Sequence, residues 1–324
     1  MTAQQARSAY RFDRRAIPPE ALEAWWEGED GQRVRRIDWL IPQGSPRGSL
    51  LFLPGRADFY EKYLETLDHW HRRGWRVTAT DWRGQALSGR LGADEMTGHI
   101  DDFAIWVDDL ERLWNRWTAS TPPPHVLVGH SMGGHLALRA VAERRIEPAA
   151  LVLAAPMLGL LPQFVPAPIL HWIARAIAGF GDPRRPIWRG SERPGRAPED
   201  RFTLLTHDRD RYDDENWWRR ERPQLAMGAP SWGWVEAALH SIRELRAPGV
   251  LESLDTMVLL LAASADRLVA YDPIVDAARR MARAQLVTFG PEARHEILRE
   301  VDEVRDRALA AIDDFLDRVA PVRD

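Results

Sequence analysis

The chain has 324 residues, is 45% hydrophobic and carries a formal charge of −4. That is enough to bury one large core or two modest ones, and it lacks the basic footprint that nucleic acid requires. The absence of cysteine excludes disulfides, thiolate catalysis and Cys-ligated metal. Apolar runs stay shorter than the ~18 residues of a membrane-spanning helix. The opening Met1-Thr2-Ala3-Gln4-Gln5-Ala6-Arg7 has no apolar signal core, so the expectation is a cytoplasmic protein. Arginine supplies nearly all the positive charge, with Lys62 the sole lysine, which reads as codon bias.

In chain order, residues 1–30 are polar and tryptophan-bearing and read as an irregular arm over the body. Val34–Ile41 partly alternates and predicts an early antiparallel edge strand. Ser49–Leu53 is an apolar strand ending in Pro54-Gly55-Arg56. Further strands are expected at 76–80, 125–130, 150–155, 257–262 and 285–289. They alternate with helical stretches, which implies a mostly parallel sheet covered on both faces. The helix at 101–117 spaces Phe103, Val107, Leu110 and Trp114 on one face, leaving Asp101, Asp102, Asp108 and Asp109 as a solvated face. Between Pro156 and Trp234 the succession stops, and a stretch rich in Pro, Trp and Arg reads as an inserted cap. Within it Asp208–Glu215 reads as a solvated loop, since it lacks the glycine and spacing of a calcium loop. His69 and His71 point in different directions on one helix and make no metal site.

Gly129-His130-Ser131-Met132-Gly133 lies between an apolar strand and a helical stretch. A G-x-S-x-G pentapeptide also occurs in ordinary glycine-rich loops. In this strand–turn–helix context it is the nucleophile elbow of an α/β-hydrolase, where the crowded turn wants glycine on either side and presents Ser131 at the sheet edge. A serine nucleophile needs an imidazole base and a carboxylate that fixes its tautomer. Of the downstream histidines, only His295 follows a late strand and a turn, Gly290-Pro291. Asp266 follows the preceding strand. Its competitor Asp272 precedes Pro273 and reads as a helix N-cap, and the earlier loop, Ala154-Ala155-Pro156-Met157, holds no acid. The oxyanion needs two backbone donors. Met132 supplies one and Arg56 the other, since Pro54 has no N–H.

Leu53-Pro54-Gly55-Arg56, Tyr60-Glu61-Lys62-Tyr63, Asp81-Trp82-Arg83-Gly84-Gln85-Ala86-Leu87-Ser88, Gly129–Gly134 and Arg294-His295-Glu296-Ile297-Leu298 occur in this order. Together they resemble the bacterial lysophospholipase and monoacylglycerol lipase branch of the α/β-hydrolases, over residues 49–156 and 257–300. Two departures stand out. Ala86 replaces a usual glycine, and Pro54-Gly55 replaces a His-Gly. The cap carries no recognisable match.

The reading is therefore an α/β-hydrolase fold, with a catalytic domain formed by residues 1–156 and 235–324 and a cap at 157–234. The predicted activity is hydrolysis of carboxylic esters of monoacylglycerols or lysophospholipids through Ser131, His295 and Asp266, with no cofactor and no metal. A small-ester carboxylesterase or a serine acyltransferase is the alternative enzyme, and a binding protein with a relic triad is the alternative outside enzymes. In the cap, Ile169, Ile173, Ile177 and Phe180 share one helical face. That face either packs on the catalytic domain or forms a gate that takes an acyl chain or touches a membrane surface. The partner expected is a small lipid or ester substrate, with no nucleic acid; oligomeric state is left open.

Overall fold

The computed structural model describes residues 12–40, 46–161, 175–177, 179, 181–188 and 199–321. Among the described residues eight strands form one sheet: β1 (Ala21–Glu27), β2 (Arg33–Trp39), β3 (Gly48–Leu53), β4 (Trp75–Thr80), β5 (His125–His130), β6 (Ala150–Ala154), β7 (Met257–Ala263) and β8 (Ala284–Phe289). Their spatial order is β1-β2-β4-β3-β5-β6-β7-β8. Only the β1–β2 and β2–β4 pairs are antiparallel. β3 and β6 are buried along their whole length, as a central strand covered on both faces must be.

Helices α1 (Leu64–Arg72), α2 (Phe103–Thr118), α3 (Met132–Ala142), α4 (Glu199–Leu205), α5 (Arg209–Glu221), α6 (Trp232–Leu245), α7 (Tyr271–Arg280) and α8 (Asp302–Val319) accompany the sheet. The apolar row Phe103, Val107, Leu110 and Trp114 of α2 is buried as its spacing predicts. Trp39, Trp70, Trp75, Trp106 and Trp117 are all fully enclosed, each ring removing roughly 150–250 Å² from water. The mostly parallel sheet expected from the strand–helix succession is present, in the architecture that the α/β-hydrolase resemblance implies.

Four expectations need correction. Ala21–Glu27 is a strand rather than part of an irregular arm, and it makes β2 an inner strand instead of the edge. Within β1 only Ala21 and Trp26 are buried, an odd spacing that hides the period of two. Asp208–Glu215 is not a solvated loop. Asp208 caps α5 by accepting the Arg211 N–H at 2.8 Å, and the buried side of this helix carries Arg211, Asp214, Glu215 and Trp218. A helix whose inner face is charged leaves no trace in apolar periodicity. Asp109 is buried, accepting Arg83 Nε and Nη2 at 2.6 and 2.8 Å, so the acids of α2 are not all solvated. Asp272 sits in the first turn of α7, and Ala270 holds the cap position.

Register decides where the site forms. Leu53 pairs with Gly129, and His130 with Ala154, so β3, β5 and β6 end level with one another. The strand order reverses between β3 and β5, opening a crevice at the carboxyl ends of the strands where an α/β sheet places its ligand.

Candidate active site

Ser131 stands between β5 and α3 with φ 53° and ψ −118°, a left-handed conformation that costs an L-residue on the order of 1–3 kcal/mol. The surroundings hold it there. Its N–H donates to Ala154 O and its carbonyl accepts from the Met157 N–H, both at 3.0 Å. The flanking glycines explain themselves: a Cβ on Gly129 would lie 2.7 Å from the backbone of Gly133 and Gly134.

His295 and Asp266 arrive from the loops after β8 and β7. Nδ1 of His295 donates to Asp266 Oδ2 at 2.7 Å, and its Nε2 lies 3.0 Å from Ser131 Oγ, placed to accept the hydroxyl proton. The second oxygen of Asp266 accepts the N–H groups of Leu268 and Val269 at 2.8 and 3.1 Å. Burial alone would raise the Asp266 carboxyl, but His295 and these donors hold it below its ordinary value. Burial likewise opposes a charged imidazole, yet the Asp266 carboxylate prevails and raises the pKa of His295. Asp272 is exposed on α7 and makes no such contact. The arrangement can move a proton from the serine hydroxyl onto a ring whose orientation and tautomer are already fixed.

The loop after β3 approaches the elbow closely. A Cβ on Gly55 would lie 3.1 Å from that of Ser131, so only glycine lets this backbone so near. The Gly55 N–H donates to Asp58 Oδ2 at 3.2 Å and the Ala57 N–H to Gln85 Oε1 at 2.7 Å. Trp82 Nε1 donates to Pro54 O at 2.8 Å. The Arg56 amide thus lies on a loop pinned on both sides, and the Met132 amide opens α3. The segment Asp81–Ser88 props this loop from below, and Ala86, where glycine is usual, has φ 49°, a conformation glycine adopts without cost.

Sequence reasoning did not single out two buried neighbours of the site, His130 and Lys62. His130 is buried, its ring 4.8 Å from that of His295, and burial lowers its pKa to about 4, so it is neutral. Lys62 is also buried and ion-paired with Asp58, Glu215 and Glu296. A signal for it did exist: a single lysine in an arginine-rich chain is not explained by codon bias once three carboxylates converge on it. Among the described residues no cluster of His, Asp and Glu could hold a metal ion, and no helix is long and apolar enough to cross a membrane. Ile169, Ile173 and Phe180 of the cap face lie outside the described residues; Ile177 is half-buried.

Comparison with known proteins adds four findings. A family profile described as Hydrolase_4, serine aminopeptidase S33, matches residues 44–302. Lysophospholipase L2 of Escherichia coli K12 is 32% identical over 281 residues, covering 83% of this chain and 80% of the relative. A probable lysophospholipase L2 of Haemophilus influenzae is 28% identical and covers 86% of each chain. Among solved structures, a soluble variant of the monoglyceride lipase of Saccharomyces cerevisiae superposes with a TM-score of 0.73 at 19% identity, over 96% of this chain and 99% of that one.

Proposed function

The chain belongs to the Hydrolase_4 (serine aminopeptidase S33) family and is a carboxylic ester hydrolase of the α/β-hydrolase superfamily. From that premise we propose that it cleaves the acyl ester of lysophospholipids or monoacylglycerols through Ser131, His295 and Asp266. The observation that carries this reading is the unbroken contact chain from Ser131 Oγ through the imidazole to Asp266, at 3.0 and 2.7 Å. Likeness to lysophospholipase L2 over most of both chains supports the lipid substrate.

Ser131 Oγ attacks the ester carbonyl while Nε2 of His295 takes its proton, and Asp266 stabilises the imidazolium. The amides of Met132 and Arg56 receive the negative charge that develops on the carbonyl oxygen. His295 then protonates the departing glycerol oxygen, leaving an acyl-enzyme. Water, deprotonated by the same nitrogen, releases the fatty acid. We propose residues 157–234 as the cap and, within it, Ile169, Ile173, Ile177 and Phe180 as the residues that take the acyl chain; of these four only Ile177 is among the described residues.

Hydrolysis rates on matched lysophosphatidylcholines, monoacylglycerols, short p-nitrophenyl esters and an aminoacyl arylamide test the reading. A preference for the two lipids by kcat/KM supports it. Activity confined to short esters, to the arylamide, or to acyl transfer onto an added alcohol would overturn it.

A further inference from the structure

Lys62 stands at a junction of three parts of the chain distant in sequence. It is fully enclosed, and its Nζ contacts Asp58 on the loop after β3, Glu296 beside His295 (2.6 Å) and Glu215 on α5 (3.0 Å). Arg299 completes the cluster, pairing with Glu296 and with Glu215 Oε2 at 3.1 Å. Two cations and three carboxylates leave one negative charge, and Arg219 faces it, 2.7 Å from Glu215 Oε1. Burial would lower the Lys62 ammonium, but Asp58, Glu215 and Glu296 outweigh it and raise its pKa.

Apolar residues of similar volume would hold these elements together as firmly, because desolvating buried ions cancels much of their attraction. What an ammonium adds is direction, with three donors at fixed angles. Two of its partners adjoin groups the chemistry uses, and the third ties in a separate helix. Asp58 accepts the Gly55 N–H at 3.2 Å, setting the turn that presents the Arg56 amide, and its Oδ2 lies 3.8 Å from Nε2 of His130, the residue before the nucleophile. Glu296 adjoins His295 in the chain. Glu215 belongs to α5, which is fastened to the body by Arg211–Glu65 at 2.8 Å and Arg222–Glu61 at 3.0 Å.

We infer that Lys62 is a positioning residue for hydrolysis: its ammonium fixes the oxyanion loop and the His295 loop relative to each other, and makes both depend on the docking of α5. This inference rests on Ser131 being the nucleophile and His295 the base. It predicts that loosening the junction slows the chemical step while leaving substrate affinity nearly unchanged, because these groups are buried within the protein.

The test uses the full-length protein with p-nitrophenyl butyrate, turnover normalised to sites titrated by fluorophosphonate, and thermal melts alongside. For Lys62→Met, measured where the fold is intact, kcat is expected to fall roughly 10²-fold, the cost of an ångström-scale misplacement, with KM within about threefold of wild type. Glu296→Gln keeps an acceptor for Lys62 and Arg299 but removes a charge. His295 is faced by Asp266 from the loop after β7, by Asp58 and Lys62 from the β3 side, by neutral His130 from β5 and by Glu296 itself. Loss of that one carboxylate should move the acid limb of kcat/KM to lower pH. A Lys62→Met protein that melts early yet turns over at the wild-type rate per site would overturn the inference, as would an unmoved acid limb in Glu296→Gln. If Lys62→Met does not fold, the Glu296→Gln profile decides alone. Wild-type protein that fluorophosphonate leaves unlabelled overturns the nucleophile instead, so the two failures are told apart.

Discussion

Gly133, on the first turn of α3, lies against the carbonyl of Pro54 so closely that a Cβ would stand 2.5 Å from its oxygen, and nearer still to that of Leu53. The elbow and the oxyanion loop therefore touch backbone to backbone, and no flexible side chain can yield. Gly133→Ala must push β3 and its loop away from α3. It should destabilise the protein by roughly 1–3 kcal/mol, the usual cost of overpacking, and depress kcat as the Arg56 amide withdraws. A melt and a kcat both indistinguishable from wild type would mean that the contact is looser than described.

Ser131→Ala should abolish ester hydrolysis by many orders of magnitude, since no other group takes over the nucleophilic step. The melting temperature should hold, because alanine keeps the same Cβ at φ 53° and the Ser131 side chain makes no helix-capping bond. Mass spectrometry of fluorophosphonate-treated wild type should place the adduct on Ser131 alone. Sustained turnover by folded Ser131→Ala would identify another nucleophile.

Asp266→Asn should lower kcat by roughly 10⁴, the loss expected when the amide favours the wrong histidine tautomer. Asp272→Asn, exposed on α7, should leave kcat nearly unchanged. Reversed behaviour of the two variants would move the carboxylate role to Asp272.

The pH profile follows from the raised pKa of His295. The imidazole must be neutral to accept the serine proton, so activity is lost as pH falls through its folded-state pKa. The acid limb of kcat/KM should therefore have its midpoint above about 6.5, the ordinary histidine value. In Asp266→Asn the residual activity should show that limb at lower pH, because the anion that holds the proton on the ring is gone. A wild-type midpoint well below that value would contradict the pairing of His295 with a charged Asp266.

Much of this architecture was legible because apolar strands declare themselves. Leu50–Leu53 and Val258–Ala262 are buried and read as unbroken apolar runs. Ser131, His295 and Asp266 could be nominated because the fold fixes the loops from which they come, and the structure brings the three side chains together. Charged contacts were not legible. Glu215 and Lys62 are 153 positions apart by number and meet only through a helix whose inner face is polar. No periodicity encodes such a pairing, since each side chain alone looks solvent-facing and only the partner makes burial tolerable. For the same reason Asp81–Ser88 read as a family signature without a job. Its work lies in single bonds to the β3 loop.

Gln85 supplies the last test, because it acts on the oxyanion loop without touching Ser131. Its Oε1 takes the Ala57 N–H at 2.7 Å, and both residues are buried. Ala57 itself is held at φ 58°, so this bond secures a turn that would otherwise relax. Gln85→Leu preserves the approximate shape and removes the acceptor, leaving a buried donor unsatisfied at a cost of about 1–3 kcal/mol. Relaxation of Ala57 would rotate the adjoining Arg56 peptide away from the developing oxyanion. Loss of one such donor costs roughly 10²–10³ in kcat with little change in KM. Gln85→Glu offers the comparison, since a carboxylate still accepts the Ala57 N–H and should retain most of the activity. If both variants lose stability but keep wild-type kcat, the β3 loop does not carry the second oxyanion donor, and the Arg56 amide must be given up for that role.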